Sequence, residues 1–429
     1  MTAVREPGVV HGVNVIGHLT SSAGLGNTTR IFIDLLRSKG HAVAGFDIEA
    51  YAQEVQPCLA EGMTIGDIRH LPFDHNLIIA SIDRLPQLWL RHAPNLLEPR
   101  FRNAGLLFWE LPVIPPAWVP ALKMFDVILT CSQYVRQAFE SAVPEVPTLH
   151  AEHPLRSEVV DIDPVAERLK FGIPLESTAF CCSFDPRSGF TRKNPLGAIK
   201  AWLQAFPARP DVYLVVKWNG PPVSDDAEVN EILGHVERDP RIVWLPRRLE
   251  HSEVMALFAC CDIFVSLHRS EGLGLVPMEA MSLGKLVIAT GYSGNMTFMT
   301  EQNSLHVPYR LVEPLNDRSF LTRGFAGSNA SWAEPNLEQA ASLMRMAADD
   351  PARAKALGQR ARFDIRGRQE TAWEGHFLGH MTRLLNASNR HPLRAGLRRS
   401  VLWTEFTNPT LVRKNAAALF RHRKLQANG

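Results

Sequence analysis

The chain has 429 residues, 45% of them hydrophobic and 21% charged, with a formal net charge of +2. That length exceeds what one hydrophobic core usually supports, so two domains are expected, and the near-neutral balance argues against a nucleic-acid partner. Six cysteines give no disulfide framework and no zinc-type spacing, since Cys181-Cys182 and Cys260-Cys261 are adjacent pairs in apolar runs; with no signal-peptide-like start and no apolar run of about 18 residues, a cytoplasmic protein with reduced thiols is expected.

In chain order, strand-like apolar runs occur at VVHGVNVIG near the start, HAVAGFDI, HNLIIAS, AGLLFW, DVILTCS and a short run near Thr148. Helical periodicity falls between them, over residues 27–38, 116–124 and 132–142. Such alternation predicts an α/β fold, a parallel sheet with helices on both faces. After a charged, proline-bearing stretch at 156–176 the pattern restarts with STAFCCSF, VYLVVKW, RIVWLP, DIFVSLH and KLVIAT. Two successive open sheets are therefore expected, with a boundary near 165–175. Residues 308–334, rich in Gly, Asn, Ser and Pro, read as an excursion from the second domain. Helices are expected again over Leu337–Asp349 and from Ala352 to about Leu385.

Open parallel sheets bind ligands beyond the carboxyl ends of their strands, and the chain's chemistry-bearing segments fall at such ends. SSAGLGNTTR, residues 21–30, is a small-residue turn opening a helix; Gly24, Leu25 and Gly26 would let backbone approach a phosphate, although Thr29 at the third glycine position disfavours a dinucleotide fingerprint. FWELPVIPPAWVP, from Phe108, presents Glu110 beside Trp109 and Trp118. SFDPRSGFTRKNP, residues 183–195, gathers Arg187, Arg192 and Lys193 on one loop before a helix starting at Asn194 and Pro195. Cations so placed suit two phosphates, arginine as a fork and lysine as a point charge.

The most informative run is HRSEGLGLVPMEAM, His268 to Met281. It reads as strand end, tight loop and helix, with Glu271 on the loop and Glu279 inside the helix. The loop residues Gly272, Leu273, Gly274 and Leu275 lead into a helix N-terminus, whose free N–H groups and positive dipole end suit a phosphorylated ligand. The two carboxylates suit sugar hydroxyls instead, which suggests a nucleotide sugar. Asp161-Ile-Asp163 has the D-x-D form of metal-dependent transferases of another fold but lies in the interdomain stretch, and no metal site is expected. His150 and His153 are weaker candidates to line a cleft, and His268 and Arg269 to shape the glutamate loop.

The stretch around Glu271 resembles the donor-binding motif of the retaining glycosyltransferases of family 4 (group 1), including those of bacterial capsule, O-antigen and exopolysaccharide assembly. That resemblance implies the GT-B fold, two Rossmann-like domains with parallel sheets facing a cleft and a C-terminal helix crossing back to the first domain. It implies an acceptor-side domain at 1–165, a nucleotide-sugar domain at 170–365, a returning helix at 366–387 and a basic tail at 388–429. By resemblance Glu271 meets the transferred sugar, Glu279 binds the ribose, Arg187 and Lys193 reproduce the family's Arg–Lys pair six apart, and Gly24–Gly26 is the first-domain glycine loop. GKLVIATGYSGN, ending at Asn295, stands where many members have a Gly-Gly-x-Pro-Glu type of sequence, and Glu110 stands where many have a histidine. Glu110 could bind a sugar hydroxyl, orient the acceptor or cap the following helix.

The reaction implied is retaining, metal-independent transfer of a hexose, mannose among the candidates, from a GDP- or UDP-sugar to a glycan or lipid-linked glycan. No cofactor is expected. After Asn389 nine Lys or Arg residues face the single acid Glu405, and residues 390–424 interleave these with Leu, Trp and Phe, which suits peripheral contact with an anionic membrane surface at its inner face. Two other readings remain open: a GT-B nucleotide-sugar epimerase, and a non-catalytic carbohydrate-binding scaffold at the membrane.

Overall fold

A computed structural model describes residues 12–21, 24–48, 66–156, 162–185, 189–220, 227–314 and 330–388. These form two compact units: residues up to Arg156 together with those from Gln369 onward, and the residues between.

The first unit is built on a six-stranded sheet of β1 (Gly12–Gly17), β2 (Ala42–Asp47), β3 (His75–Ser81), β4 (Arg102–Phe108), β5 (Val127–Thr130) and β6 (Thr148–His150), in the order β2-β1-β3-β4-β5-β6. All its pairings are parallel. The strands are nearly continuous apolar runs because helices cover both faces, and β1, β3 and β4 are buried through most of their length. A polar ladder crosses this dry sheet. Asn14 donates to Asn76, Asn76 donates to Asn103 at the same 2.8 Å, and Asn103 donates to the Leu96 carbonyl. A one-residue slip of any of these strands would strand buried amides, so the ladder fixes register.

The second unit repeats the plan with β7 (Thr178–Phe184), β8 (Val212–Trp218), β9 (Ile242–Leu245), β10 (Ile263–Ser266), β11 (Leu286–Thr290) and β12 (Leu305–Val307), ordered β12-β11-β10-β7-β8-β9. This is the Rossmann order, whose direction of winding reverses between β7 and β10. Both units together give the α/β, GT-B type of architecture. A core of aromatic side chains, including Phe180, Trp202, Phe206 and Trp218, packs one face of this sheet. The five cysteines among the described residues are free and buried, and burial pushes the Cys182 thiol up to about 12.

Several elements differ from expectation. Leu85–Leu96 is a helix that periodicity did not mark; Pro86 in its first turn is a start signal, but Arg84 caps it without a side-chain bond and Pro94 lies inside it, where proline usually breaks a helix. Its Trp89 is fully buried and donates to the Ala121 carbonyl. Residues 116–122 are a 3-10 turn and one short helical turn rather than a continuous helix. The long helix expected to about Leu385 breaks at Gly375, whose φ is +67°, into Pro351–Glu374 and His376–Ser388. The excursion at 308–334 contains an antiparallel pair, β13 (Tyr309–Val312) and β14 (Trp332–Pro335).

Gln369 and Trp373 tie the end of the long helix to the first unit. The Gln369 amide accepts from the Leu155 N–H and donates to the His153 carbonyl, and Trp373 Nε1 donates to the Leu155 carbonyl. Helix His376–Ser388 then packs against β4, β5 and β6. Among the described residues no helix is long and apolar enough to cross a membrane. The basic tail lies outside the described residues.

Candidate active site

The carboxyl ends of β7 and β10, the two strands flanking the reversal, lead into the basic loop and the glutamate loop. Asn194 joins them. At φ 51° it ends the short turn Phe190–Lys193, and its side chain accepts from the Gly197 N–H to start helix Pro195–Ala205. Its amide nitrogen also donates to the Leu267 carbonyl at the end of β10. Arg269 completes the clamp: its backbone N–H donates to the Arg192 carbonyl, and its side chain pairs with Glu334 on β14.

This clamp delivers two cations to one carboxylate. Lys193 Nζ lies 2.5 Å and Arg192 Nη1 3.2 Å from the Glu271 oxygens, and the same Arg192 nitrogen donates to the Ser270 carbonyl at 2.6 Å. Burial pushes the Glu271 carboxyl up, but Lys193 and Arg192 outweigh it and hold the group at about 2. Glu271 is therefore ionised throughout the physiological range. The partners differ in access, for Arg192 is 2% exposed while the Lys193 side chain is 19% exposed. Arg192 holds Glu271 from behind; Lys193 fronts a small cleft that Glu271, Ser183, Val276 and Pro277 also line.

Backbone and buried polar groups set the glutamate loop. The Glu271 N–H donates to the Ser293 hydroxyl, and the Gly294 N–H donates to the Glu271 carbonyl. Gly274, at φ +88°, turns the chain into helix Leu275–Ser282, and a Cβ at Gly294 would lie 2.1 Å from the Gly272 carbonyl oxygen. These glycines permit close approach of two loops. His268 is wholly buried, and burial pushes its pKa down. Its Nε2 faces the Tyr292 carbonyl and the Asn295 amide oxygen, and its Nδ1 faces the Ser266 hydroxyl and the Ser266 carbonyl, so both ring nitrogens are engaged inside the loop. Asn295 also donates to the Thr290 carbonyl, so its side chain is engaged in shaping the loop. His268 and Asn295 thus support the site from beneath it.

Glu279 lies one turn inside the helix and is 7% exposed. Burial raises its carboxyl to about 8 against the opposing field of Lys217. At neutral pH it is mostly the neutral acid, able to donate one hydrogen bond and accept others. His251, at the start of helix His251–Cys260, places Nδ1 4.0 Å from it. Two neighbouring glutamates thus hold opposite protonation states, Glu271 through paired cations and Glu279 through burial.

In the first unit, Gly24 opens helix Gly24–Ser38 just beyond the carboxyl end of β1. Among the described residues a Cβ at Gly24 would meet nothing within 4 Å, whereas one at Gly26 would lie 2.0 Å from the Ser21 carbonyl oxygen. Gly26 is thus required by packing, while packing among the described residues does not require Gly24. Arg30 donates to the Leu19 and Ser21 carbonyls, and Asp47 accepts from the Thr20 backbone and hydroxyl, bracing the loop. Glu110 follows β4 half-buried, while Trp109 is buried edge-on to Trp118 in a packed corner. His153 is buried between Phe32 and Phe108 and bonded to Thr28, and burial pushes it down to about 4, so it is a neutral core residue. Arg187 and Asp161 lie outside the described residues, and Asp163 caps helix Pro164–Phe171.

The sequence did not single out Lys217, His251 or Ser293. Lys217 was open to notice, being a lone cation at the end of the apolar strand VYLVVKW. His251 and Ser293 reach the site only through tertiary structure.

Residues 190–318, which take in the end of the basic loop, the glutamate loop and the glutamate helix, match the family model described as glycosyl transferases group 1. The chain is 26% identical over 280 residues to a GDP-mannose-dependent monoacylated alpha-(1-6)-phosphatidylinositol monomannoside mannosyltransferase of Corynebacterium glutamicum, covering 62% of this chain and 63% of the relative. It is 31% identical over 94 residues to the lipopolysaccharide core biosynthesis mannosyltransferase LpsB of Rhizobium meliloti, covering 21% and 26% of the two chains. The chain thus spans less than two thirds of these curated relatives' lengths. In fold it is similar to sucrose-phosphate synthase of Thermosynechococcus elongatus, with a TM-score of 0.61, 15% identity, and 88% and 99% of the two chains covered. Residues 190–318 are thus similar to the group 1 glycosyl transferases, and the fold is of the GT-B type.

Proposed function

We propose that the protein is a retaining, metal-independent glycosyltransferase that moves a hexose, mannose in the first instance, from a nucleotide diphosphate sugar to a hydroxyl of a glycan or lipid-linked glycan in bacterial surface polysaccharide synthesis. The observation that carries this reading is the Lys193–Glu271–Arg192 cluster at the point where the sheet order reverses. Mannose is supported by both curated relatives, each a mannosyltransferase, and GDP by the Corynebacterium glutamicum enzyme. Membrane contact through residues 390–424 remains part of the proposal.

In this reading Lys193 is neutralised by Glu271 until donor arrives. The diphosphate draws the ammonium forward, helped by Arg187 on the same loop, and Glu271, still held by Arg192, is free to accept a sugar hydroxyl. Charge grows on the diphosphate as the sugar–oxygen bond breaks, so a cation fixed beside it stabilises the transition state more than the ground state. The acceptor hydroxyl forms the new bond on the same face and passes its proton to the leaving phosphate. Glu279 would meet the ribose diol, with a neutral carboxyl giving one hydrogen bond and accepting another. Gly24, at a helix N-terminus, would offer N–H groups to the diphosphate.

The test is slow donor hydrolysis without acceptor, with water taking the acceptor's place. GDP-α-mannose, with and without EDTA, is incubated with the protein and followed by proton NMR before mutarotation. First-formed α-mannose at the same rate in EDTA is expected. First-formed β-mannose would overturn retention, loss of activity in EDTA would overturn metal independence, and no turnover of GDP- or UDP-hexoses with Glu271 intact would overturn the transferase reading.

A further inference from the structure

Helix Pro351–Glu374 has two unlike faces. Its inner face is built of small or aliphatic side chains: Ala354, Ala361 and Ile365 are buried, and a Cβ at Gly358 would lie 2.2 Å from the Gly284 carbonyl oxygen, so the helix backbone lies directly on the segment that follows the glutamate helix. Asp364 accepts from the Asn303 amide and Arg368 donates to the Thr297 carbonyl, which fixes the rotation of the helix on the second unit.

The outer face is basic. From Pro351 to Arg368 the sequence holds six Lys or Arg residues and one acid. Arg353, Lys355, Arg360 and Arg362 are exposed, while the acid, Asp364, is half-buried and already accepts from Arg360 as well as Asn303. Phe363 stands among these cations at 71% exposure, the most exposed large hydrophobic side chain among the described residues. The Arg360 guanidinium lies 5.7 Å from its ring centroid. At 3.6 residues per turn the four cations fall within about 100° either side of Phe363 around the helix. A helix face that meets only water usually interleaves charges of both signs, because like charges at such spacings repel.

We propose that this outer face rests on an anionic lipid bilayer. The excess of cations selects a polyanionic partner. Phe363 selects a bilayer among polyanions, since the long basic side chains can stay at the level of the lipid phosphates while the ring enters the headgroup and acyl boundary. Each cation brought to an anionic leaflet contributes about fivefold in affinity, so four of them with one ring suit reversible peripheral contact. The surface belongs to the second unit and is separate from residues 390–424. Its use rests on the reading above of a lipid-linked acceptor, which a transferase must meet at a bilayer.

The experiment is flotation of the full chain with vesicles of equal parts phosphatidylglycerol and phosphatidylcholine and with vesicles of phosphatidylcholine alone, with binding to a DNA duplex measured alongside. Calorimetry with GDP on the same samples reports the donor site. Binding to the anionic vesicles only is expected, weakened at least tenfold in the double variant Lys355→Glu, Arg362→Glu and at least threefold in Phe363→Ser, and restored in Phe363→Trp. GDP affinity and melting temperature should stay unchanged in each. The same ratios are expected when Arg398→Glu and Arg399→Glu are added to weaken any contact made by the tail. No binding of wild type to anionic vesicles, or equal binding by wild type and the double variant, overturns the proposal and leaves the donor reading standing. A loss in the double variant without a loss in Phe363→Ser, or tighter binding to the DNA duplex than to the vesicles, overturns the bilayer as partner. Absent GDP binding in wild type with vesicle binding intact overturns the transferase reading and leaves the membrane surface.

Discussion

Replacing Glu271 with glutamine keeps the side chain's shape and removes the charge that Lys193 and Arg192 share. The folded carboxyl stands at about 2 against an ordinary 4.5, because the two cations overcome the effect of burial. That difference of about 2.5, at 1.36 kcal/mol for each pKa unit, corresponds to about 3 kcal/mol of stabilisation. Arg192 is buried and would be left facing a neutral amide, while the partly exposed Lys193 can turn to water; a loss of about 2–3 kcal/mol at pH 7 is expected, near the low end for removing one partner of a buried pair. The folded pKa is depressed, so the stabilisation is complete above about pH 5.5 and is lost as pH falls towards 2. At pH 4 part of it has already gone. Urea unfolding of wild type and Glu271→Gln, followed by tryptophan fluorescence at both pH values, should show a gap that narrows in acid. Calorimetry should show GDP bound as tightly or more tightly by the variant, because Lys193 is released, while turnover of GDP-mannose falls at least 100-fold. Equal stability at pH 7, a gap that widens in acid, or weaker GDP binding would refute the assigned charge balance.

The second glutamate gives the opposite pH signature. Glu279 is raised to about 8, so the stability linked to its proton is present below about pH 4.5 and is lost as pH rises through 8. Between pH 6.5 and 8 wild type should lose on the order of 1–2 kcal/mol relative to Glu279→Gln, and parallel melting temperatures across that range would contradict the buried neutral acid. Gly24→Ala should leave stability unchanged or slightly raised, since a Cβ there meets nothing among the described residues, yet lower turnover at least tenfold if the helix N-terminus cradles the diphosphate; unchanged turnover removes the loop from the site. Gly26→Ala, whose Cβ would collide with the Ser21 carbonyl, should cost on the order of 2–3 kcal/mol in thermal or urea unfolding. Lys193→Met should weaken GDP affinity at least tenfold with EDTA present or absent, and undiminished affinity would show that the diphosphate does not reach it.

Much of the fold was legible because parallel strands buried on both faces read as apolar runs. β7, β8, β10 and β11 fall where STAFCCSF, VYLVVKW, DIFVSLH and KLVIAT stand. What escaped notice depended on contacts distant in sequence. Helix Leu85–Leu96 has Pro94 at an interior position that usually marks a helix's absence, and it is held by Trp89 reaching Ala121. β12 has only three residues and pairs with β11, so no run of its own could announce it. The break at Gly375 rests on one glycine with a positive φ inside an otherwise helical pattern.

For the candidate site, the sequence showed which residue types gather at which strand ends, but not how burial divides the work among them. Arg192 and Lys193 are adjacent and chemically alike, yet one is enclosed behind Glu271 and the other fronts the cleft. Glu271 and Glu279 are eight residues apart, yet one is held ionised and the other neutral. Both contrasts arise from a single construction: Asn194 and Arg269 bind the β7 loop to the β10 loop, placing two cations at the first glutamate, while the helix carries the second into the interior with Lys217 and His251 as its charged or chargeable neighbours. A nucleotide sugar asks for that division, since its diphosphate needs a cation that can be released and its hydroxyls need acceptors and donors already fixed in place. In the proposed reaction the Lys193–Glu271 pair would meet the first need by holding the lysine until a stronger anion arrives, which is why removing Glu271 should abolish transfer without weakening the grip on GDP.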